Sequence, residues 1–429
     1  MTYSLDNARS LLALVFIILV CWLFSENKRR FPVGLMVGAI ALQGGLVALI
    51  FALPNAQPLL AGISGAVEAL ASATRQGTQF VFNYLGGGDQ PWMAPGASGA
   101  PPFIFGFQVL PLIVVIAALS ALMWHIGILK WVIRGFGFLF SRTMGLGGAS
   151  ATAVASNIFL GNVESSIVIK AYLEKLTRSE IFMVMTVGLA GVAGSTMVAY
   201  ATILKDVLPN AAGHVLVASI ISAPAGVLLA RIMVPPNADE KSQDVDYGAS
   251  LKYDSAMDAI TRGVGDGVMV AVNVGATLIV FVAFVALVNS GLGALPDVAG
   301  AKLSLERVFG FAFAPLAWLI GVPWEESQKA GDLLGVKLFL TEFVAYIKLG
   351  AIPAAELSDR TRMIMTYALC GFANVASVGI TVGGLTQLYP VERRPVILEL
   401  AWKALLPGFL ATLMTAAIVA AMPAGMFAK

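Results

Sequence analysis

Charge is scarce in this chain. Of 429 residues, 25 are acidic and 27 basic, so charged residues make up 12%, against about 25% in soluble domains. A soluble surface cannot be built from so few, and 58% of the residues are hydrophobic with a mean hydropathy of +0.84. The chain is therefore read as an all-α polytopic membrane protein whose partner is the lipid bilayer, since helices satisfy their own backbone in lipid. Histidine is nearly absent: His125 and His214 are the only two, and no His-Glu-x-x-His occurs. Cysteine is equally sparse. Cys21 and Cys370 fall in separate apolar runs, which excludes a disulfide framework and metal-ligand spacing. There is no Gly-x4-Gly-Lys-Ser/Thr loop, which excludes an ATP-hydrolysing motor of that type. The net charge of +2 with no basic patch argues against nucleic acid as a partner. No nucleophile–base pair stands out, so the chain is read as no enzyme and no cofactor is expected. The 44 glycines and 20 prolines lie inside apolar runs, where membrane helices tolerate them. Only Arg9 precedes the first such run, and no small-residue cleavage site follows it, so a retained first helix is expected.

Apolar runs long enough to span, at about 20 residues each, cover 11–24, 33–53, 103–133, 179–204, 214–234, 264–287, 362–388 and 396–422. Two further apolar stretches, 145–176 and 305–349, are interrupted midway by polar residues. Residues 56–83 mix Ser, Gly, Glu68 and Arg75 with apolar residues and read as a helix lying in the interface. Residues 86–102 and 235–253 read as loops. Lys28, Arg29 and Arg30, the bases around the first interrupted stretch, and Arg393 and Arg394 belong in the cytoplasm by the positive-inside rule. With eight crossings this puts both termini outside. The interrupted stretches must then be re-entrant hairpins, the first entering from the cytoplasm and the second from outside. Gly34 and Gly38 form a GxxxG pattern that suggests a close helix contact. Trp324 reads as interfacial, and Glu325 and Glu326 as solvated.

The two halves resemble each other. Met185-Thr186 precedes Ala190-Gly-Val-Ala-Gly194, and Met365-Thr366 precedes Cys370-Gly-Phe-Ala-Asn374, at a constant offset of 180 positions. Each interrupted stretch carries an acid, Glu164 in the first and Glu342 in the second. With hairpins entering from opposite faces this is an inverted repeat, the plan of secondary transporters, whose site lies where broken helices meet. A carboxylate at membrane depth costs about 2.5–3.5 kcal/mol on insertion scales, so Glu164 and Glu342 near hairpin tips suggest a cavity for a ligand rich in hydroxyls. Capping of a half-helix N-terminus is the competing role. Asn374, in a run of small residues, offers an amide to a ligand or to a neighbouring helix. Asn157 offers an oxygen to a cation.

At these residues the chain resembles the concentrative nucleoside transporters. The resemblance runs from about Phe103 to Gly408. It is carried by Ala368-Leu-Cys-Gly-Phe-Ala-Asn-Val-Ala-Ser-Val-Gly-Ile380, Thr341-Glu-Phe-Val-Ala-Tyr346, Leu160-Gly-Asn-Val-Glu164, Ser222-Ala-Pro224 and Ala330-Gly-Asp-Leu-Leu-Gly-Val-Lys337. It implies eight transmembrane helices, two re-entrant hairpins and an interfacial helix, assembled as a homotrimer in a bacterial inner membrane. It implies a secondary active importer of nucleosides with an elevator-like transport domain, with a modified nucleoside or nucleobase as the alternative solute. Glu342, Asn374 and Ser377 would hold the ribose, Asn162, Val163 and Glu164 would face the base, and Phe372 would line the site. Asn157 and the carbonyls of Leu160, Gly191 and Val192 would hold the coupling cation. The implied division is 1–135 (N-terminal helices, interfacial helix and scaffold), 136–205 (first hairpin and broken helix), 206–300 (scaffold helices), 301–390 (second hairpin and broken helix) and 391–429 (last helix). The chain departs from the family pattern in three places. Asn162-Val163 replaces Gln-Thr, Ser165-Ser166 replaces Ala-Pro, and Gly191 replaces a serine of the sodium-coupled members. Loss of that hydroxyl leaves either Na+ or H+ as the coupling ion, a proton being carried by a carboxylate such as Glu164 or Glu342.

Overall fold

A computed structural model describes residues 5–52, 56–89, 104–161, 165–166, 168, 176–237, 252–297, 300, 302–389 and 391–423. Among these the regular structure is helical throughout, with no strand. The chain runs through α1 (Leu5–Leu23), α2 (Val33–Ala52) and α3 (Ala56–Phe82). After a helical turn at Phe105–Gln108 come α4 (Leu110–His125), α5 (Ile128–Met144) and α6 (Gly148–Asn157). Next are α7 (Arg178–Ala190), α8 (Gly194–Leu204), α9 (Ala211–Met233) and α10 (Ala256–Leu292). The last third holds α11 (Leu305–Leu319), α12 (Trp324–Phe339), α13 (Glu342–Ala351), α14 (Asp359–Leu369), α15 (Val375–Leu388) and α16 (Arg394–Ala421).

Among the described residues, five stretches are long and apolar enough to cross a membrane singly: Val33–Phe51, Phe105–His125, Ala211–Met233, Ala256–Leu292 and Val391–Ala421. The run at 11–24 gives a shorter apolar helix, Asn7–Leu23. The runs at 179–204 and 362–388 are each split in two, as α7/α8 and α14/α15. The run at 103–133 is not one segment either. α4 stops at His125, and Gly127 takes a left-handed φ of 92° before α5 sets off anew. α5 buries Leu129, Ile133, Gly137, Phe140 and Met144 along one stripe and exposes Trp131 and Phe138 on the other face. That stripe at helical spacing is amphipathic and does not suit a span.

The two interrupted stretches share a plan. α5, a turn at positive-φ Gly145, and α6 lead to a break after Asn157. α11, a turn at positive-φ Gly321, and α12 lead to a break at Leu340-Thr341. α11 and α12 are bent by 117° to one another. Side-chain contacts fix the ends from which the hairpins start. Near the start of α6, Ser150 donates to Glu180 near the start of α7 (2.6 Å). Arg178, beside Glu180, binds Glu26 and Glu399 (both 2.8 Å). At the opposite end, Asn7 donates to the carbonyls of Ala420 and Met422 (both 2.7 Å), and Arg9 to that of Val322 just before α12. Both ends of the described chain therefore lie at one end of the molecule, with the start of the second hairpin, and the first hairpin starts from the other. Glu326 is not simply solvated. It accepts from the Ser358 N–H and hydroxyl (3.1 and 3.0 Å), joining α12 to the N-cap of α14.

Glu26 fastens the loop after α1 to α7 and α16. Burial pushes its carboxyl up, but hydrogen bonds from Arg178 and Lys403 outweigh that and hold it below the usual carboxylate range. A lowered pKa means the anchor is in place near neutrality and weakens as pH falls through that range. Of the GxxxG pair, a Cβ on Gly34 would meet nothing within 4 Å among the described residues, while one on Gly38 would lie 3.4 Å from the Thr143 carbonyl oxygen on α5. Close packing occurs instead on α10, where Cβ atoms on Gly263 and Gly267 would each lie 2.7 Å from the Cα of Ala118 or Val114 on α4. Small residues bring helix backbones together in membranes in this way.

Candidate functional site

The site begins with two helices that stop short. α7 ends at Ala190 and α8 starts at Gly194; α14 ends at Leu369 and α15 starts at Val375. The breaks meet, and the Phe372 N–H donates to the Gly191 carbonyl (3.1 Å). Gly371 makes this approach with φ 151°, and a Cβ there would lie 2.5 Å from the Ala190 carbonyl oxygen. Gly194 donates to the Phe159 carbonyl (3.0 Å), which ties the first hairpin to the α7/α8 break.

Two helix N-termini flank the crossing. Thr341 caps α13, its hydroxyl accepting from the Val344 N–H (3.3 Å), which makes Glu342 the first residue of that helix. Asn374 caps α15, its Oδ1 accepting from the Ser377 N–H (2.8 Å). The Asn374 Nδ2 donates to Glu342 Oε2 (2.6 Å), and the Tyr200 hydroxyl donates to Oε1 (2.7 Å). Glu342 is 4% exposed. A helix N-terminus and two donors offset part of the cost of burying this carboxyl group, which would be unfavourable there without partners. An ionised carboxylate offers about four lone-pair sites; Tyr200 and Asn374 engage two, which leaves acceptor capacity for a ligand hydroxyl.

Glu342 opens onto a cavity of about 290 Å³. Asn374, Ser377 and Phe372 line it from the second broken helix, Thr196 from α8, and Asn273 and Thr277 from α10. Apolar Val270, Val274, Leu278 and Ile380 complete the wall. The result is a small-solute site in which a few polar groups from several helices are set among apolar ones.

Of the residues singled out in the sequence, Glu342, Phe372, Asn374 and Ser377 share this cavity. Asn162, Val163 and Glu164 lie outside the described residues; Gly161, just before them, lines the cavity. Asn157 is buried and donates to the Ser165 hydroxyl (3.1 Å). Its Oδ1 faces Gly191, where a Cβ would lie 2.7 Å away. Val192 follows Gly191 in the break, and Leu160 follows Phe159 in the hairpin. Asn157, Leu160, Gly191 and Val192 are not among the residues that line the cavity, whereas Ala193 of the same break is.

Sequence reasoning missed Tyr200, Asn273, Thr277 and Lys337. Asn273 and Thr277 had a signal, two polar residues four apart on an apolar span. Tyr200 had none, because its partner lies 142 positions away. Its ring is held by stacking on Tyr346 (4.3 Å) and an edge contact with Phe343 (5.1 Å).

Hairpins starting from opposite ends, broken helices that cross, and a buried carboxylate on a cavity between them define a secondary transporter. Known proteins agree. The family model described as Na+ dependent nucleoside transporter N-terminus matches residues 12–85 and its C-terminus counterpart residues 214–420. A model described as nucleoside recognition matches 106–207. The nucleoside permease NupC of Helicobacter pylori is 36% identical over 414 residues, 95% of this chain and 96% of that protein. The uncharacterized transporter YutK of Bacillus subtilis is 38% identical, covering 97% and 98%. Among solved structures, CNTnw in an inward-facing substrate-bound state is 34% identical with a TM-score of 0.87, covering 98% of both chains. A doubly substituted CNTnw in an outward-facing state is 33% identical with a TM-score of 0.88, covering 97% of each. The chain belongs to the Na+-dependent nucleoside transporter family, and is a permease, not an enzyme.

Proposed function

We propose that this chain imports nucleosides across a bacterial inner membrane, driven by a cation gradient, as a homotrimer with both termini outside. The observation that carries the reading is Glu342, a buried carboxylate with spare acceptor sites on the cavity, flanked by Asn374 and Ser377. These three hold the ribose hydroxyls. Phe372 packs against the bound ligand, and Asn162, Val163 and Glu164 contact the base.

Sodium is the assigned driver. Asn157 and the carbonyls of Leu160, Gly191 and Val192 form a neutral oxygen set, which suits a hard monovalent ion. The Asn157 Oδ1 stands where a side chain at position 191 would enter. Cation and nucleoside favour the same closed arrangement of hairpin and broken helix, so each raises the affinity of the other. The transport domain comprises residues 136–205 and 301–390, and it moves as an elevator against the remaining helices.

Proteoliposome uptake of radiolabelled uridine, adenosine and pseudouridine tests this, with an inward sodium gradient, an inward proton gradient or neither. Sodium-driven accumulation of at least one nucleoside is expected. Accumulation by protons alone would overturn the sodium assignment, and no accumulation of any would remove nucleosides as substrates. The same assay checks the base contact. Asn162→Ala is expected to alter the preference among the three by about tenfold, the loss of one hydrogen bond; an equal loss for all three would reject the contact.

A further inference from the structure

Lys337 has no exposed surface, and it lines neither the cavity nor the Asn157 group. It lies near the end of α12. Its Nζ donates to the Ala368 carbonyl (2.7 Å) and the Thr412 hydroxyl (2.6 Å), and stands 5.4 Å from the centre of the Phe409 ring. The Ala368 carbonyl explains the placement. In an unbroken helix it would accept from the N–H of residue 372. Here α14 has stopped, the Phe372 N–H goes to Gly191, and the orphaned carbonyl takes the ammonium. The C-terminal end of a helix carries partial negative charge, and in transporters such broken ends hold coupling cations.

The first half has the same relation. Asn157 and Lys337 are separated by the 180 positions that separate the Met-Thr pairs and the glycines of the two breaks. Each lies on the helix that leads into its hairpin break, α6 or α12. Each faces the broken helix of its own repeat: Asn157 against Gly191, Lys337 against Ala368. In the proposed function, an exchangeable ion sits at the first of these places.

We propose that Lys337 is a tethered cation, its ammonium standing in the second repeat where the exchangeable ion stands in the first. It is a positioning residue. It fixes the end of α14 and, through the break, keeps Asn374 beside Glu342. One repeat then carries its cation on a side chain and the other only when an ion arrives, so full closure takes one coupling ion per protomer instead of two. The inference rests on the cation site of the proposed function.

The test substitutes the first-repeat residue, Lys337→Asn, in the purified full-length transporter. Uridine binding is measured calorimetrically over a sodium series below saturation, with choline holding ionic strength constant. For the wild type, log Kd should fall with log sodium at a slope of about one, one ion taken up per nucleoside. In Lys337→Asn the slope should steepen by about one, with affinity lost at low sodium and recovered at high sodium. Lys337→Arg should keep the wild-type slope. A folded Lys337→Asn protein with an unchanged slope, whatever its affinity, overturns the tethered cation and leaves a structural role. Should Lys337→Asn not fold, Asn157→Lys decides: its slope should drop by about one, and a retained slope overturns the equivalence. A wild type whose binding ignores sodium would overturn the first-repeat site itself, and the proposal with it.

Discussion

Glu342→Gln should leave uridine uptake at about 1% of wild type or less, because hydrogen bonds to a charged group contribute about 1.5–3 kcal/mol each and more than one is lost. The wild-type carboxylate accepts from Tyr200 and Asn374 at once, one on each oxygen. A glutamine has a single oxygen, so its NH2 must face one of those two donors. Turned toward Tyr200, that NH2 would meet a hydroxyl able to accept; turned toward Asn374, it would meet another NH2, and Asn374 would no longer be held beside the ligand. The ribose hydroxyl would lose its charged acceptor as well. Glu342→Asp separates charge from reach: it keeps the acceptor but retracts it, and should retain weak binding where the glutamine has none. Equilibrium binding and uptake should both be measured, on protein whose melting curve shows it folded. Near-normal uptake by folded Glu342→Gln would remove Glu342 from the ligand site.

Gly371→Ala should be equally damaging by another route. Gly371 takes φ 151°, a conformation that side chains disfavour, and a Cβ there would lie 2.5 Å from the Ala190 carbonyl oxygen and 2.6 Å from the Thr412 methyl. One of those contacts is backbone in the other broken helix, so the crossing itself would have to open. Strain of this kind and overpacking each cost about 1–3 kcal/mol, so a combined loss of about 2–4 kcal/mol is expected. A drop in melting temperature should accompany loss of uridine binding, because the displaced strand leads directly to Asn374. Gly379 is the control, since a Cβ there would meet nothing within 4 Å. If Gly371→Ala melts and binds as wild type does, the two breaks are not in the contact described.

What could be read from the sequence depended on whether the signal was local. Hydropathy marked the apolar segments, and the acids and small residues inside them marked the hairpins and the two breaks. Glu342 and Asn374 were found because a carboxylate or amide at membrane depth is conspicuous wherever its partners lie, whereas Ser377 came only with the family resemblance. Tyr200 was not, since a tyrosine is ordinary in a span and its bond to Glu342 exists only once the two halves pack. Position 127 looked like a continuation of apolar sequence, because hydropathy does not register the sign of φ. Gly34-Gly38 and Gly263-Gly267 were alike as patterns, and only the position of a neighbouring helix made the second pair the closer contact. Glu326 looked solvated because Ser358, its partner, sits on another element.

The bond between Phe372 and Gly191 also sets an order of events during synthesis. The Gly191 carbonyl can leave the ribosome and enter the membrane long before residue 372 exists to bond it. At about 5–20 residues per second, the 180-odd intervening residues take roughly ten to forty seconds. For that interval the Gly191 carbonyl lacks the partner it has in the finished fold, and a lipid solvent cannot supply one. The first half is thus a client awaiting its sequel, and the break that later serves transport is, during biogenesis, the exposed point that insertion machinery or a chaperone must shelter.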